Sequence, residues 1–319
     1  MENQGEVVLS TEKDTFYFWP EYYREFPYFS EQTLRPGCYP RKLLHNKRTG
    51  KAIVLVHGLT DSPFYMLDIA EYFYKSLGYN VYLPLLQCHG LKNPEGMAGV
   101  SLEEWKKNVR FAISTAAENA DRVSIGGLSM GGALSLYFGC TDPAITGDLY
   151  LFAAALGISG GRLGIAGGIL EFILRLPLVR FLDNGKILVG HHSYRYDRIP
   201  LNSAKELARL ILELDRLLKL PGNRMPVKRI FAAWSEHDRV INVKKLRKLQ
   251  YLTEENQLAR FIIPKAARVE HAGVVLKEPV YAVGSQPGDS PLEEANPGFA
   301  EMMTAIAQFE SAESAETAN

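Results

Sequence analysis

Ile125-Gly126-Gly127-Leu128-Ser129-Met130-Gly131-Gly132 is the stretch on which the fold turns. Ahead of it, Val123 and Ile125 alternate with Ser124, a short strand signal. After it, Ala133, Leu134, Leu136 and Tyr137 carry helical spacing. Between strand and helix lies Gly-x-Ser-x-Gly, with Gly127, Ser129 and Gly131 as its fixed letters. A serine on so sharp a strand-to-helix turn holds its hydroxyl above the sheet, and the positions two residues away have no room for side chains. The N-terminal N–H groups of the following helix point at whatever the serine meets. The same letters also suit a plain glycine-rich turn after a buried strand, so the surrounding chain has to decide.

Working towards the N-terminus, Ala52-Ile53-Val54-Leu55-Val56 is a continuous apolar run of the kind buried on both faces of a sheet. Thr49-Gly50-Lys51 before it reads as a turn, and His57-Gly58-Leu59-Thr60 follows it directly. Asp61-Ser62-Pro63 offers an N-cap and an early proline for a helix through Met66, Ile69, Ala70 and Phe73, which Gly78 ends. Val81-Tyr82-Leu83-Pro84 is the next strand, with Cys88-His89-Gly90-Leu91 in the loop beyond. Ser101-Leu102-Glu103-Glu104 is a capping box opening a helix through Trp105, Val109 and Ile113. Residues 14–40 are dense in aromatics and contain four prolines, an arm laid over a core. It carries too few basic residues for a nucleic-acid stacking platform.

Working towards the C-terminus, Leu149-Tyr150-Leu151-Phe152 is another buried strand. Residues 157–226 then break the alternation, as an insertion placed over the sheet edge. Its first part is glycine-rich, and Asn202-Ser203 caps a helix with Leu207, Leu210, Ile211, Leu214, Leu217 and Leu218 at core spacing. Strands resume at Arg229-Ile230-Phe231-Ala232-Ala233-Trp234 and Arg260-Phe261-Ile262-Ile263, trailed by Ser235-Glu236-His237-Asp238 and Glu270-His271-Ala272-Gly273. A last helix covers residues 298–309. Strands alternating with helices give parallel βαβ units and an α/β fold, a mostly parallel central sheet flanked by helices. In such sheets, sites lie beyond the carboxyl ends of the strands, where His57-Gly58 and Ser129 both fall. The expected organisation is an arm at 1–48, a core at 49–156 and 227–310, a cap insertion at 157–226 and a flexible tail at 311–319.

Composition narrows the function. The chain has 319 residues, 46% of them hydrophobic, enough for a sizeable core. Its 36 basic residues balance 36 acidic ones, which speaks against nucleic acid or an anionic membrane as a general partner. Cys38, Cys88 and Cys140 form neither a disulfide framework nor a metal site, and they fit a reducing, cytoplasmic compartment. Residues 1–13 hold no apolar secretory stretch, and no apolar run reaches the length of a spanning helix.

A serine is a poor nucleophile until a base stands within hydrogen-bond reach and a carboxylate orients that base. On a strand-to-helix elbow the chain order is serine, acid, histidine. After Ser129, Glu236 and Asp238 are the acids at a strand end, and His271 is the histidine beyond the next strand. His237 is a rival base inside the acid's own loop, and His191 and His192 lie in the insertion. An oxyanion hole takes backbone N–H groups from the residue after the nucleophile, Met130, and from the loop after an early strand, Leu59. His57 and His89 read as loop fasteners rather than catalysts.

Val56-His57-Gly58-Leu59-Thr60, Gly127-Leu128-Ser129-Met130-Gly131-Gly132, Ser235-Glu236-His237-Asp238-Arg239-Val240 and His271 together resemble the α/β-hydrolase family, and within it bacterial carboxylesterases and monoacylglycerol lipases. The resemblance covers about residues 50–310 and is loose over the insertion. It implies Ser129 as nucleophile, Asp238 as acid, His271 as base and residues 157–226 as a cap over the acyl pocket. Cys88 stands where the family's Gly-His-Gly loop has its first glycine.

The expected activity is hydrolysis of small, acyl- or lipid-like carboxylic esters through an acyl-serine intermediate, with no metal or organic cofactor. A thioesterase or acyltransferase would share the triad and differ in the acyl acceptor. A hydrolase-like protein that only binds its ligand would have no need of the full set. The apolar insertion residues Ile165, Ile169, Leu170, Phe172, Ile173 and Leu174 are expected to favour uncharged, short-to-medium acyl groups. Arg162, Arg175 and Arg180 are the cations weighed against that preference.

Overall fold

The apolar run at Ala52–Val56 lies at the heart of a seven-stranded sheet. This is seen in a computed structural model describing residues 18–45, 48–156, 188–219, 227, 229–251 and 258–316. The strands are β1 (Arg41–Leu43), β2 (Thr49–Val56), β3 (Asn80–Leu83), β4 (Ala120–Leu128), β5 (Leu149–Phe152), β6 (Ile230–Ser235) and β7 (Leu258–Ile263). Their order is β1-β3-β2-β4-β5-β6-β7. Only the β1–β3 pair is antiparallel. Val54 and Leu55 of β2, Val81 of β3 and every residue of β5 and β6 are buried, as a parallel sheet covered on both faces requires.

Helices of the described residues, in chain order, are α1 (Pro20–Glu25), α2 (Leu67–Lys75), α3 (Leu102–Asn119), α4 (Met130–Thr141), α5 (Leu201–Leu217), α6 (Val243–Arg247) and α7 (Phe299–Glu316). The capping box at α3 forms: Glu104 N–H donates to Ser101 Oγ at 3.2 Å. None of these helices is long and apolar enough to cross a membrane. The three cysteines are free.

Several boundaries differ from the sequence reading. Thr49-Gly50-Lys51 is not a turn; the ladder to β4 already starts there, pairing Thr49 with Ala120 and Lys51 with Arg122. Ser62 makes no side-chain cap, and a 3₁₀ turn at Pro63–Met66 precedes α2. Pro200, not Asn202 or Ser203, takes the N-cap position of α5, and Ser203 Oγ donates to the Pro200 carbonyl at 2.9 Å. Inside the expected arm, Arg41–Leu43 is an edge strand of the sheet. At the far end, α7 runs on to Glu316, through the stretch expected to fray.

Within the arm, Trp19, Tyr22 and Phe26 are buried and surround Phe111 of α3 at ring-centroid distances of 5.8, 5.7 and 5.6 Å. Tyr22 Oη donates to the Leu85 carbonyl at 2.7 Å, fixing the arm to the loop after β3. The expectations for residues 157–187 and 220–226, with their apolar and arginine side chains, lie outside the described residues. Of the insertion, residues 188–200 run across the carboxyl edge of the sheet. Tyr196 Oη donates to the Cys88 carbonyl, and Tyr196 N–H donates to the Thr60 carbonyl. Arg35 Nη1 reaches the carbonyls of His192 and Arg195. α5 then buries Leu210, Ile211 and Leu214 in the core.

Candidate active site

The register of the sheet sets the stage: Val56 pairs with Gly127, Leu128 with Phe152, Phe152 with Ala233 and Ser235 with Ile263. The residues that follow each strand therefore emerge along one edge. Ser129 follows β4 directly and has φ 55° and ψ −116°, a conformation that costs a non-glycine residue about 1–3 kcal/mol unless its surroundings enforce it. Here they do. Ser129 N–H donates to the Phe152 carbonyl at 3.0 Å, and its carbonyl accepts from Ala155 at 2.9 Å. A Cβ at Gly127 would come within 2.6 Å of the Gly131 backbone, and one at Gly131 would strike the backbones of Val56 and His57. The two glycines are thus required by close approach of β2, β4 and α4, and the turn lifts Ser129 to the sheet edge.

Asp238 lies three residues past β6, and His271 lies beyond β7 at the start of a 3₁₀ turn, Ala272–Val275. Asp238 Oδ2 accepts from His271 Nδ1 at 2.6 Å, a short charge-assisted distance. Its Oδ1 accepts from the N–H groups of Val240 at 2.8 Å and Ile241 at 3.2 Å, and its side chain is wholly buried. Because the carboxylate only accepts, Nδ1 carries the proton and Nε2 is left with its lone pair. That Nε2 is buried without a hydrogen-bond partner among the described residues. Ser129 and His271 line one cavity of about 640 Å³. The rival groups are engaged elsewhere: Glu236 pairs with Arg247 at 2.8 Å, and His237 Nε2 meets Glu270 at 3.2 Å. His191 is exposed, whereas His192 is buried against the Tyr65 hydroxyl at 2.9 Å.

Met130 opens α4, where the first N–H groups have no partner within the helix. Leu59 lines the cavity in a turn closed by Asp61 N–H to the Gly58 carbonyl at 3.3 Å, with Thr60 at φ 71°. His57 holds this loop. Its Nε2 accepts from Leu86 N–H at 3.1 Å, so Nδ1 is the protonated nitrogen and donates to the Gly58 carbonyl at 2.9 Å. Burial, with His89 nearby, pushes the His57 pKa well below the usual histidine range, keeping that neutral tautomer. His89 is likewise buried and depressed to about 4, with Nδ1 on the Gln87 carbonyl. Cys88 occupies φ 66°, the left-handed region a glycine would enter freely.

The sequence reading missed a charged cluster on the cavity wall: Asp61, Arg195 and Glu293. Arg195 Nη1 bonds Glu293 Oε1, and its Nε lies 3.7 Å from Asp61 Oδ1. Burial works against the Arg195 charge, yet Asp61 and Glu293 outweigh it and raise its pKa. Arg195 is a cation of the described lining that the sequence reading did not consider; Arg162, Arg175 and Arg180, which it did, lie outside the described residues. Asp61 could have been suspected from its place two residues after Leu59. Arg195 and Glu293, 98 positions apart, give no local signal. Among the described residues no group of three or more His, Cys, Asp or Glu side chains is arranged to hold a metal ion.

Comparison with known proteins agrees with this architecture. A model of the alpha/beta hydrolase family matches residues 53–283. A thermostable monoacylglycerol lipase from Bacillus sp. (strain H-257) is 32% identical over 173 residues, covering 52% of this chain and 65% of the lipase, just under two thirds of its length. A carboxylesterase from Bacillus subtilis (strain 168) is 25% identical over 195 residues, 61% of this chain and 74% of that enzyme. A solved structure from work on the metagenome-derived lipolytic enzymes LipS and LipT gives a TM-score of 0.62 at 18% identity, covering 87% of this chain and 99% of that one. The Paleococcus ferrophilus monoacylglycerol lipase gives 0.58 at 16% identity, covering 85% and 97%. At those identities the structural likeness is one of fold. The family model runs from within β2 to beyond β7 and includes Ser129, Asp238 and His271, and the chain belongs to the alpha/beta hydrolase family.

Proposed function

We propose that the chain is a serine hydrolase that cleaves carboxylic esters of short-to-medium acyl chains through an acyl-Ser129 intermediate. The observation that carries the reading is the Asp238–His271 hydrogen bond. It leaves His271 Nε2 unpartnered on the cavity that a strained Ser129 also lines. The names of the two curated relatives, a monoacylglycerol lipase and a carboxylesterase, support the substrate class.

In this mechanism Ser129 Oγ attacks the ester carbonyl carbon while His271 Nε2 takes the hydroxyl proton. Asp238 holds the imidazole in its Nδ1–H tautomer and offsets the charge it gains. The carbonyl oxygen becomes an oxyanion between the N–H groups of Leu59 and Met130. His57 and Gly58 support the first of these, and Gly127 and Gly131 the second. The C–O bond to the alcohol breaks as His271 returns its proton to the leaving oxygen, leaving the acyl group on Ser129. Water, deprotonated by the same histidine, repeats the sequence and releases the carboxylic acid. Residues 157–226 act as the cap over the acyl group in this reading.

The direct test is labelling with a fluorophosphonate, which should add its mass to the peptide containing Ser129, together with turnover of Ser129→Ala. That variant should lose nearly all ester hydrolysis. Labelling at another serine, or full activity in the alanine variant, rules the mechanism out.

A further inference from the structure

Asp61 has no part in the chemistry above, yet it sits against the nucleophile's turn. A Cβ built at Gly58 would overlap the Asp61 carboxylate and lie 3.3 Å from Ser129 Cβ. Asp61 is only 4% exposed and lines the cavity. Its ion pair with Arg195 Nε, at 3.7 Å, is too long for a hydrogen bond. Arg195 is drawn more closely onto Glu293. Glu293 Oε1 also lies 3.6 Å from His192 Nε2, while its Oε2 is buried with no hydrogen-bond partner among the described residues.

The balance of charge follows. The described lining carries the carboxyl groups of Asp61, Glu270, Glu293 and Glu294 against one guanidinium, Arg195. Arg195 is shared between Glu293 and Asp61, so its single charge answers only one of the two carboxylates. Burial raises the Asp61 pKa to about 6; Arg195, His271 and His192 favour its ionised form, and Glu293 opposes it. The Tyr65 hydroxyl, bonded to His192, faces the same cluster and is held un-ionised by burial. At neutral pH an almost buried carboxylate therefore faces the cavity without a hydrogen-bond donor among the described residues. A hydroxyl on the substrate would give it a hydrogen bond but leave the excess negative charge of the cluster unopposed. An acidic group would meet repulsion from the surrounding carboxylates. A substrate-borne cation meets both needs.

We infer that Asp61, with Glu293 behind it, forms an ammonium-binding subsite, so that the preferred esters carry a primary or quaternary ammonium on their alcohol portion. The inference rests on the ester-hydrolase reading and deepens it. The uncharged acyl chain lies on the apolar wall of Leu201, Ala204, Leu207, Val240 and Ile241.

The experiment compares butyrylcholine with its uncharged isostere 3,3-dimethylbutyl butyrate, on the full chain, from pH 5 to pH 8. Any pH dependence of the chemistry that the two esters share cancels in the ratio of their kcat/KM values. At pH 8 the ratio should favour the cation by about tenfold, the effect of one charge-assisted contact. It should fall towards one at pH 5, as Asp61 takes up its proton. Asp61→Asn should hold the ratio near one at every pH, and Glu293→Gln should lower it in part. A wild-type ratio near one at pH 8, or a ratio that Asp61→Asn leaves untouched, overturns the subsite. Faster turnover of the monosuccinate ester of 3,3-dimethylbutanol overturns it in favour of anion capture by Arg195. If neither butyrate is hydrolysed, the ester reading fails and calorimetry with choline decides the subsite. Binding at pH 8 that is lost at pH 5 and in Asp61→Asn upholds it, and no binding overturns it.

Discussion

Two carboxylates on one loop, Glu236 and Asp238, show how position within a few residues separates a surface charge from a functional one. Glu236 is exposed and faces Arg247. Asp238 is buried, with each oxygen taken by a donor fixed in the fold. Asp238→Asn should therefore lower kcat by about 10³- to 10⁴-fold, because an amide that donates to His271 selects the wrong tautomer. Glu236→Gln loses an exposed pair and should change kcat less than about threefold, an exposed ion pair being worth at most about 1 kcal/mol. The reverse ranking, measured on one ester, would contradict the assignment. Asp61 makes the complementary case. Its folded pKa, about 6, is raised above the ordinary carboxylate value, so the folded state holds its proton more tightly than the unfolded chain. Its stabilising contribution is full below about pH 4 and is lost as pH rises through about 6. At pH 8 Asp61→Asn should be the more stable protein by about 3 kcal/mol, and that gap should close by pH 4. Urea titrations at the two pH values check this, and an Asp61→Asn protein less stable at pH 8 would refute it. A residue that costs stability while lining the cavity is what a binding role predicts.

Among the elements, those with a strong period were legible and those without were not. β2, β5 and β6 carry apolar runs buried on both faces, β4 shows its alternation at Val123–Ile125, and α3 is announced by the capping box at residues 101–104. The Ser129 elbow was legible because close backbone approach leaves only glycine at Gly127 and Gly131. β1 is three residues long, too short to show alternation, and was hidden in an aromatic arm. The Asp61–Arg195–Glu293 cluster comes from three segments that only the tertiary fold brings together. α7 was legible as a helix, but its anchor was not. Glu310 is buried and accepts from Tyr79 Oη at 2.8 Å, from Tyr150 Oη and from Lys51 Nζ at 2.9 Å. Burial opposes its charge, yet Tyr150, Lys51 and Tyr79 hold its pKa below the usual glutamate range. Glu310→Ala strands two buried hydroxyls and should cost about 3 kcal/mol. The depressed pKa fixes the sign: the carboxylate's contribution is present above about pH 4.3 and is lost as pH falls below it. The stability gap between wild type and Glu310→Ala should therefore narrow on acidification below about pH 4. A constant gap down to pH 3 would mean that the helix is held by packing alone.

At the scale of the whole molecule, the cavity is a joint product of segments far apart in the chain. The loop after β2 gives it Leu59 and Asp61, and α5 gives Leu201, Ala204 and Leu207. The loops after β6 and β7 give Val240, Ile241 and His271, and the return before α7 gives Leu292 and Glu293. Its 640 Å³ lies within the range of about 300–1,000 Å³ usual for small-molecule sites, and it is larger than an acetyl group needs. An acyl chain laid on the apolar wall gains about 0.8 kcal/mol for each methylene it buries, close to a fourfold rise in kcat/KM per carbon. The gain must end where the wall ends, since longer chains then put apolar surface back into water or crowd the charged side. In p-nitrophenyl esters from acetate to palmitate, kcat/KM should climb over the first few carbons and fall for the long chains. The p-nitrophenyl succinate should be poor at pH 8, because its free carboxylate enters a lining of four carboxyl groups against one guanidinium. The two parts fail separately. A flat chain-length profile would mean that the apolar wall does not hold the acyl group, whereas a preference for succinate would mean that Arg195 is free to take an anion.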